Sequence, residues 1–350
     1  MGGVTRVAVL GASGYGGGEL VRLLADHPSL EVVFLGAKDS AGSTLGASHP
    51  HLSGLPSAAM LLQPMDPGAI AEAADLVFSA LPNGASASLA PALLEAGVGV
   101  IDLAGDFRLA AGDYPGWYGF EHPAPAWLDE AVYGLPELFA ERIGGAKLVA
   151  NPGCYPTAAV LGLAPVLTAG LVEPGPIRVD GKTGLSGAGR AAVESMSFAS
   201  TEDSVRPYRV PGHQHTPEIE RALGLATGAD VQVLFVPHLV PTVRGVLTTS
   251  YAALAPGVGT EQLTACLAAA YDGQPFVRVL AAGDMADSKR TRGTNLIELQ
   301  AVADPRTGTA VVIGALDNLV KGAAGQAIQN ANLVLGLPQE TGLPVTAVYP

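Results

Sequence analysis

Short apolar runs alternate with helix-spaced apolar positions through the first part of the chain. VTRVAVL (4–10) reads as a buried strand. GASGYGG follows at 11–17, and GELVRLLADH then carries apolar residues at helical spacing until Pro28 stops it. LEVVFLGA (30–37) predicts a second strand, and residues 38–70, with Gly, Ser, Pro and a His-Pro-His, predict loop. DLVFSALP (75–82), the helical ASASLAPALLEAG and GVGVIDLAG (97–105) continue the alternation. Strands alternating with helices predict βαβ units, and hence an α/β, Rossmann-type doubly wound parallel sheet.

From 106 to 146 the pattern becomes irregular and aromatic (DFRL, YPGWYGFEHP, VYGLPEL), before a strand KLVAN leads into NPGC. Beyond 154 the periodicity changes. A helix is predicted at 156–169 and another at 260–272, with strands at 176–182, 231–236, 242–254, 294–303 and 309–315 and a Gly/Ala-rich helix at 317–335. Strands outnumber helices here, which predicts a second, α+β domain with a mostly antiparallel sheet and helices on one face.

The formal charge of −13 argues against a nucleic-acid partner, whose binding rests on neutralised phosphates. No apolar run approaches the ~18 residues of a spanning helix, so no membrane partner is expected. The opening residues read directly as a strand rather than a secretory leader, and two distant cysteines make no disulfide framework. A reducing cytoplasm is the expected compartment. With only five lysines, most positive charge is arginine, which holds phosphate or carboxylate bidentately.

The glycines of 11–17 allow a tight turn and a close approach of backbone amides to a pyrophosphate at a helix N-terminus. The spacing is G-x-x-G-x-x-G rather than the commoner G-x-G-x-x-G, and the strand–loop–helix setting carries the dinucleotide assignment. Cofactor contacts are expected from Gly11, Ser13, Gly14, Tyr15 and Gly16. An acid at the end of the second strand would hold the 2′-hydroxyl of NAD. Here Lys38 and Ser40 suit a 2′-phosphate, with Asp39 between them, so NADP(H) is the expected cofactor.

Cys154 lies in NPGCYPT (151–157), where Pro152 and Gly153 predict a turn and Pro156 the first position of a helix. A thiolate there gains from backbone amides and the helix dipole. Its partner is sought in PGHQHTPEIE (211–220), where Thr216, Pro217 and Glu218 read as N-cap, N1 and N2. His213 and His215 then fall in extended chain on one side, and one can act as acid or base while the other binds substrate. His-x-His is also a zinc pattern, but no Cys/His spacing supports it and no metal is expected. His49 and His51 read as structural, and Cys266 as an inert packed thiol. Candidate anion-binding residues are Arg108, Lys182, Arg190, Arg206, Arg209 and Arg244, and glycines around Ser186 mark 182–190, including Gly187, as a ligand-contacting loop. A nicotinamide cofactor with an activated cysteine points to thioester formation and hydride transfer at its carbonyl.

GASGYGG, DLAGDFRL (102–109), YGLPEL (133–138), NPGCYPT, GHQHTPEIE (212–220), VPHLVPTVRG (236–245) and LDNLVKGAAGQAIQN (316–330) together resemble the N-acetyl-γ-glutamyl-phosphate reductase family of arginine biosynthesis. The resemblance covers essentially the whole length. It implies NADPH-dependent reduction of a small acyl phosphate to a semialdehyde, with Cys154 as nucleophile, His215 as acid/base, and His213 and Glu218 in support. It also implies Arg108 facing the substrate and Asn318 near the nicotinamide. Of the candidates read from the residues themselves, Lys182, Arg206 and Arg209 are expected as further substrate contacts and Ser186 and Gly187 as cofactor contacts. The expected domains are a cofactor domain of 1–153 with 317–350, and a catalytic and oligomerisation domain of 154–316, assembling as homodimer or homotetramer. The related carrier-protein-linked aminoadipyl-phosphate reductase of lysine biosynthesis is the nearest alternative, and an inactive NADP-sensing regulator a remote one. The acidity of the chain disfavours the former.

Overall fold

A computed structural model describes residues 3–349. The chain forms two compact units, Met1–Pro152 with Ala323–Leu343, and Gly153–Gly322 with Pro344–Pro350.

In the first unit, β1 (Thr5–Leu10), β2 (Leu30–Gly36), β3 (Leu76–Ser79), β4 (Gly99–Asp102), β5 (Val132–Tyr133) and β6 (Leu148–Ala150) form one parallel sheet in the order β2-β1-β3-β4-β6-β5. The order reverses between β1 and β3, so the glycine loop after β1 opens where such sheets take ligands. Four residues of β1 and all of β3 are buried, as parallel strands covered on both faces require. The segment expected to be irregular contains two short helices, Tyr114–Tyr118 and Pro136–Ile143, and its Phe107, Leu109, Tyr114 and Leu128 enter the core. The Ala85–Glu95 helix has no cap of its own, because its N-cap is Gly84. Asp106 supplies one instead, accepting the N–H groups of Gly84 (2.7 Å) and Ala87 (2.8 Å).

In the second unit, β7 (Ile177–Thr183), β8 (Arg206–Pro207), β9 (Val233–Leu239), β10 (Val246–Ala253), β11 (Val277–Val279), β12 (Ile297–Asp304) and β13 (Thr309–Leu316) run in the order β11-β12-β13-β10-β7-β9-β8. Only β7–β9 and β11–β12 are parallel. The Cys154–Thr168 helix packs on this sheet with every residue from Tyr155 to Leu167 buried. Its sequence, CYPTAAVLGLAPVLT, has no charged residue and no polar stripe, which suits a helix enclosed on all sides. Side chains pointing the other way, among them Leu234, Val236, Leu247, Tyr251, Val311 and Ile313, are only partly covered. No helix among the described residues is long and apolar enough to cross a membrane.

Two helix starts differ from the sequence reading. The first begins at Cys154 rather than at Pro156, with Gly153 as its N-cap. The second runs His215–Thr227 with Gln214 at the cap position, so His215 is its first residue instead of lying in extended chain before Thr216. The physical reason is that His213 does the capping, its Nδ1 accepting the His215 N–H at 3.1 Å and its carbonyl the Thr216 N–H at 2.9 Å.

Candidate active site

Cys154 is the first residue of its helix and is half-buried. Gly153 supplies no side-chain cap and no acidic residue of the helix's own occupies the first turn, so the amides of that turn face the thiol, while the N-cap N–H is taken by Glu218. Glu218, fully buried, accepts the Gly153 N–H through Oε1 at 2.8 Å, and its Oε2 lies 4.0 Å from His215 Nε2. One carboxylate thus ties the residue before the nucleophile to the imidazole. A methyl group on Gly153 would sit 2.4 Å from His215 Nε2. The ring edge therefore occupies the space a side chain would need, beside the cysteine.

Tyr155 packs edge-on against His215 (5.9 Å between ring centroids), His213 (6.2 Å) and Phe235 (5.0 Å). Burial pushes the Tyr155 phenol far up, so it stays neutral, its hydroxyl donating to the His238 carbonyl at 3.2 Å. His213 is buried between Tyr155, Tyr208 and Phe235, and burial pushes its imidazole down to about 2, with His215 and Arg209 adding to the effect. It stays neutral, with Nδ1 engaged as an acceptor. On the far side, a π-helical turn (Val320–Ala324) brings Gly322 against Cys154, where a Cβ would lie 2.6 Å from the cysteine Cβ. Buried Asp317 holds that turn, its carboxylate accepting from Leu319 N (2.8 Å) and Gly293 N (2.7 Å) and its carbonyl from Gly322 N (2.9 Å). The sequence does not mark glycines 153 and 322 as site residues; adjacency to a cysteine and a place in KGAAG are the signals it offers.

In the first unit the glycine loop has the shape a pyrophosphate needs. Gly11 adopts φ +76°, and a Cβ on Gly11 or Gly17 would lie 2.3 Å from a backbone carbonyl oxygen, of Ala80 and Gly11 respectively. Gly14 is the N-cap of the Tyr15–Leu24 helix with no side-chain cap and no acid in the first turn, so the amides of Tyr15 and Gly16 stay available to an anion. These residues, with half-buried Ser13, fit a dinucleotide phosphate. Lys38 is exposed just past β2, and Ser40 follows two residues on.

Arg108 also belongs to this unit, buried, with Nη2 donating to the Leu103 carbonyl at 2.8 Å. Its turn is wrapped around the Tyr114 hydroxyl, which accepts from Arg108 N (3.1 Å) and donates to the Asp106 carbonyl (2.5 Å). Burial raises the neighbouring Asp102 and Asp106 carboxyls above the ordinary range.

In the second unit Asn318 donates to Ser186 Oγ (2.9 Å) and accepts from Gly245 N (2.8 Å), and Gly187 lies beside it. Arg206 donates to the Ser195 carbonyl, and exposed Arg209 donates at 2.7 Å to Oε1 of Gln214, the residue between the two histidines. Lys182 is not brought to Cys154. Gly181 faces Tyr155, so the neighbouring Lys182 points to the opposite sheet face, where its Nζ meets Asp180 Oδ1 at 2.6 Å.

A dinucleotide loop on one unit and a cysteine at a helix N-terminus beside a histidine on the other define a semialdehyde dehydrogenase. Residues 6–146 match the family described as "Semialdehyde dehydrogenase, NAD binding domain", and 154–318 match "Semialdehyde dehydrogenase, dimerisation domain". Among solved structures, aspartate semialdehyde dehydrogenase II of Vibrio cholerae superimposes with a TM-score of 0.74 at 19% identity, covering 96% of this chain and 99% of that one. The chain is 49% identical over 348 residues to N-acetyl-gamma-glutamyl-phosphate reductase of Symbiobacterium thermophilum, covering 99% of both. It is 45% identical over 349 residues to the protein of that name in Brevibacillus brevis, covering 99% of this chain and 100% of the other. The chain belongs to the N-acetyl-γ-glutamyl-phosphate reductase family.

Proposed function

We propose that this chain reduces N-acetyl-γ-glutamyl phosphate to N-acetylglutamate semialdehyde and orthophosphate, using NADPH, in arginine biosynthesis. The observation that carries the chemistry is Cys154 at an uncapped helix N-terminus with His215 Nε2 against Gly153. The Cys154 thiol loses its proton to His215, and Sγ attacks the acyl carbon. The C–O bond to the phosphate breaks, orthophosphate leaves and a thioester remains on Cys154. Amides of the first helical turn stabilise the oxyanion, and loss of one such donor costs about 10²–10³ in rate. Bound NADPH supplies the hydride that reduces the thioester carbon. His215 then returns the proton as the C–S bond breaks and the aldehyde is released. Glu218 and His213 hold His215 in place, and Arg108 and Arg209 are assigned to the anionic ends of the substrate.

The first unit takes the cofactor through Gly11, Ser13, Gly14, Tyr15 and Gly16, with Lys38 and Ser40 at the 2′-phosphate; Ser186, Gly187 and Asn318 serve the nicotinamide. The partly covered sheet face carrying Leu234, Val236 and Tyr251 is assigned to a second copy of the chain, since this unit matches a dimerisation domain. Both cysteines are free thiols, which fits a reducing compartment, and the reaction is placed in the cytoplasm.

The test is the reverse reaction, with NADP⁺, orthophosphate and either N-acetylglutamate semialdehyde or its one-carbon-longer aminoadipate analogue, followed at the NADPH absorbance. Turnover of the first supports the assignment. Turnover of the second alone replaces it with the lysine-pathway reaction.

A further inference from the structure

His49 lies in the long segment between β2 and β3, which the sequence marks only as loop. It is 97% buried by its 3% exposure, and its Nε2 is 2.9 Å from the Ala12 carbonyl oxygen, inside the glycine loop. A carbonyl only accepts, so Nε2 carries the proton and donates. We infer that His49 is a positioning residue for the cofactor: by holding the Ala12 carbonyl it aims the next amide, Ser13 N–H, at the pyrophosphate. The inference rests on the assignment of the glycine loop to NADPH.

The geometry follows from the planarity of the peptide. In a trans peptide the C=O and N–H of one unit point in opposite directions. With the Ala12 C=O turned toward buried His49, the Ser13 N–H is turned away from it. On its other side Ala12 is also fixed, its N–H donating to the Gly36 carbonyl at 3.0 Å at the end of β2. Both peptide units flanking Ala12 are therefore set by hydrogen bonds from outside the loop.

His49 is itself well fixed. Its N–H donates to Leu45 O (2.8 Å), closing the Leu45–Ser48 helix, and its carbonyl accepts from Leu52 N (2.9 Å), opening the next turn. The ring lies flat against Gly18, where a Cβ would be 2.5 Å from Cε1 and 2.8 Å from both ring nitrogens. Gly18 is in the middle of the Tyr15–Leu24 helix, where glycine costs about 1 kcal/mol relative to alanine. The seat for His49 explains a glycine that the helix alone does not want.

The experiment measures equilibrium NADPH binding by fluorescence, without acyl phosphate, for wild type, His49→Phe, His49→Gln and Gly18→Ala. His49→Phe keeps the bulk and removes the donor, and the dissociation constant is expected to rise about tenfold or more, as for one buried carbonyl left without its partner. His49→Gln, whose amide can donate to the same oxygen, should recover most of the affinity. Gly18→Ala should weaken binding by displacing the ring, and adding it to His49→Phe should weaken binding little further. The KM for acyl phosphate and the rate of iodoacetamide labelling of Cys154 in the cofactor-free protein should stay at wild-type values, which general unfolding would not allow. NADPH affinity within twofold of wild type in His49→Phe and in Gly18→Ala overturns the inference. If His49→Phe does not fold, Gly18→Ala and His49→Gln decide the question alone. Failure of the wild-type protein to bind NADPH overturns the cofactor assignment, and the inference with it.

Discussion

Replacing Gly153 by alanine adds one carbon beside the candidate acid/base. The backbone tolerates it, since Gly153 has φ −69° and ψ 159°, an extended conformation open to any residue. The obstacle is the ring, with Nε2 at 2.4 Å and both neighbouring carbons at 2.9 Å from the new methyl. Restoring ordinary contact moves the imidazole by about 1 Å, a misplacement that costs about 10²-fold in rate when it befalls a reacting group. Crowding a buried site also costs about 1–3 kcal/mol of stability. The expected result is a kcat lowered about 100-fold, with NADPH affinity unchanged because the new methyl meets His215 and none of the residues assigned to the cofactor. Steady-state kinetics, NADPH titration and a thermal melt at one pH measure all three. A folded Gly153→Ala protein with kcat within threefold of wild type would refute the claim that His215 acts from this position.

Cys154→Ser should abolish turnover while NADPH still binds, whereas Cys266→Ser should be near silent. The Cys266 thiol is raised by burial and sits 3.5 Å from the Pro165 carbonyl, and a large loss on its replacement would show the thiols wrongly assigned. The second concerns acid. The His213 imidazole is depressed by burial to about 2, so between that value and the ordinary 6.5 the unfolded chain binds a proton that the folded one refuses. Stability therefore falls as pH drops below the unfolded value, by up to about 1.4 kcal/mol per pH unit from this one group. Melts at pH 7 and 5 should show a smaller acid loss in His213→Gln than in wild type, and equal losses would remove His213 from the account. Finally, Leu234→Glu together with Tyr251→Glu should raise the dimer dissociation constant at least about tenfold in sedimentation runs. Unchanged association would exclude the partly covered sheet face as the interface.

Much of the fold could be read in the chain because its elements announce themselves locally. VTRVAVL and LEVVFLGA are short, mostly apolar, β-branched-rich runs that fit buried parallel strands, and the switch of periodicity after 154 separates two kinds of sheet. What stayed hidden depends on distant partners. Thr216-Pro217-Glu218 looks like a helix start, but His213 takes over the capping and moves the start to His215. Asp106 caps a helix whose first residues are more than twenty positions earlier. Lys182 adjoins a glycine-rich loop in sequence, yet strand alternation turns it to the other face, because Gly181 is needed under Tyr155. His49 reads only as structural in the sequence, since nothing in HPHL indicates that its ring reaches Ala12, 37 residues away. Glycines 153 and 322 carry no chemistry, and their significance lies in the absence of a side chain where His215 and Cys154 must fit.

The most direct measurement is mass spectrometry of the protein quenched in acid after mixing with acyl phosphate in the absence of NADPH. The account predicts one N-acetylglutamyl adduct per chain, located on the peptide containing Cys154 and discharged when NADPH is added before the quench. Steady turnover with no adduct on that peptide, or an adduct that persists through NADPH addition, would contradict a thioester at Cys154.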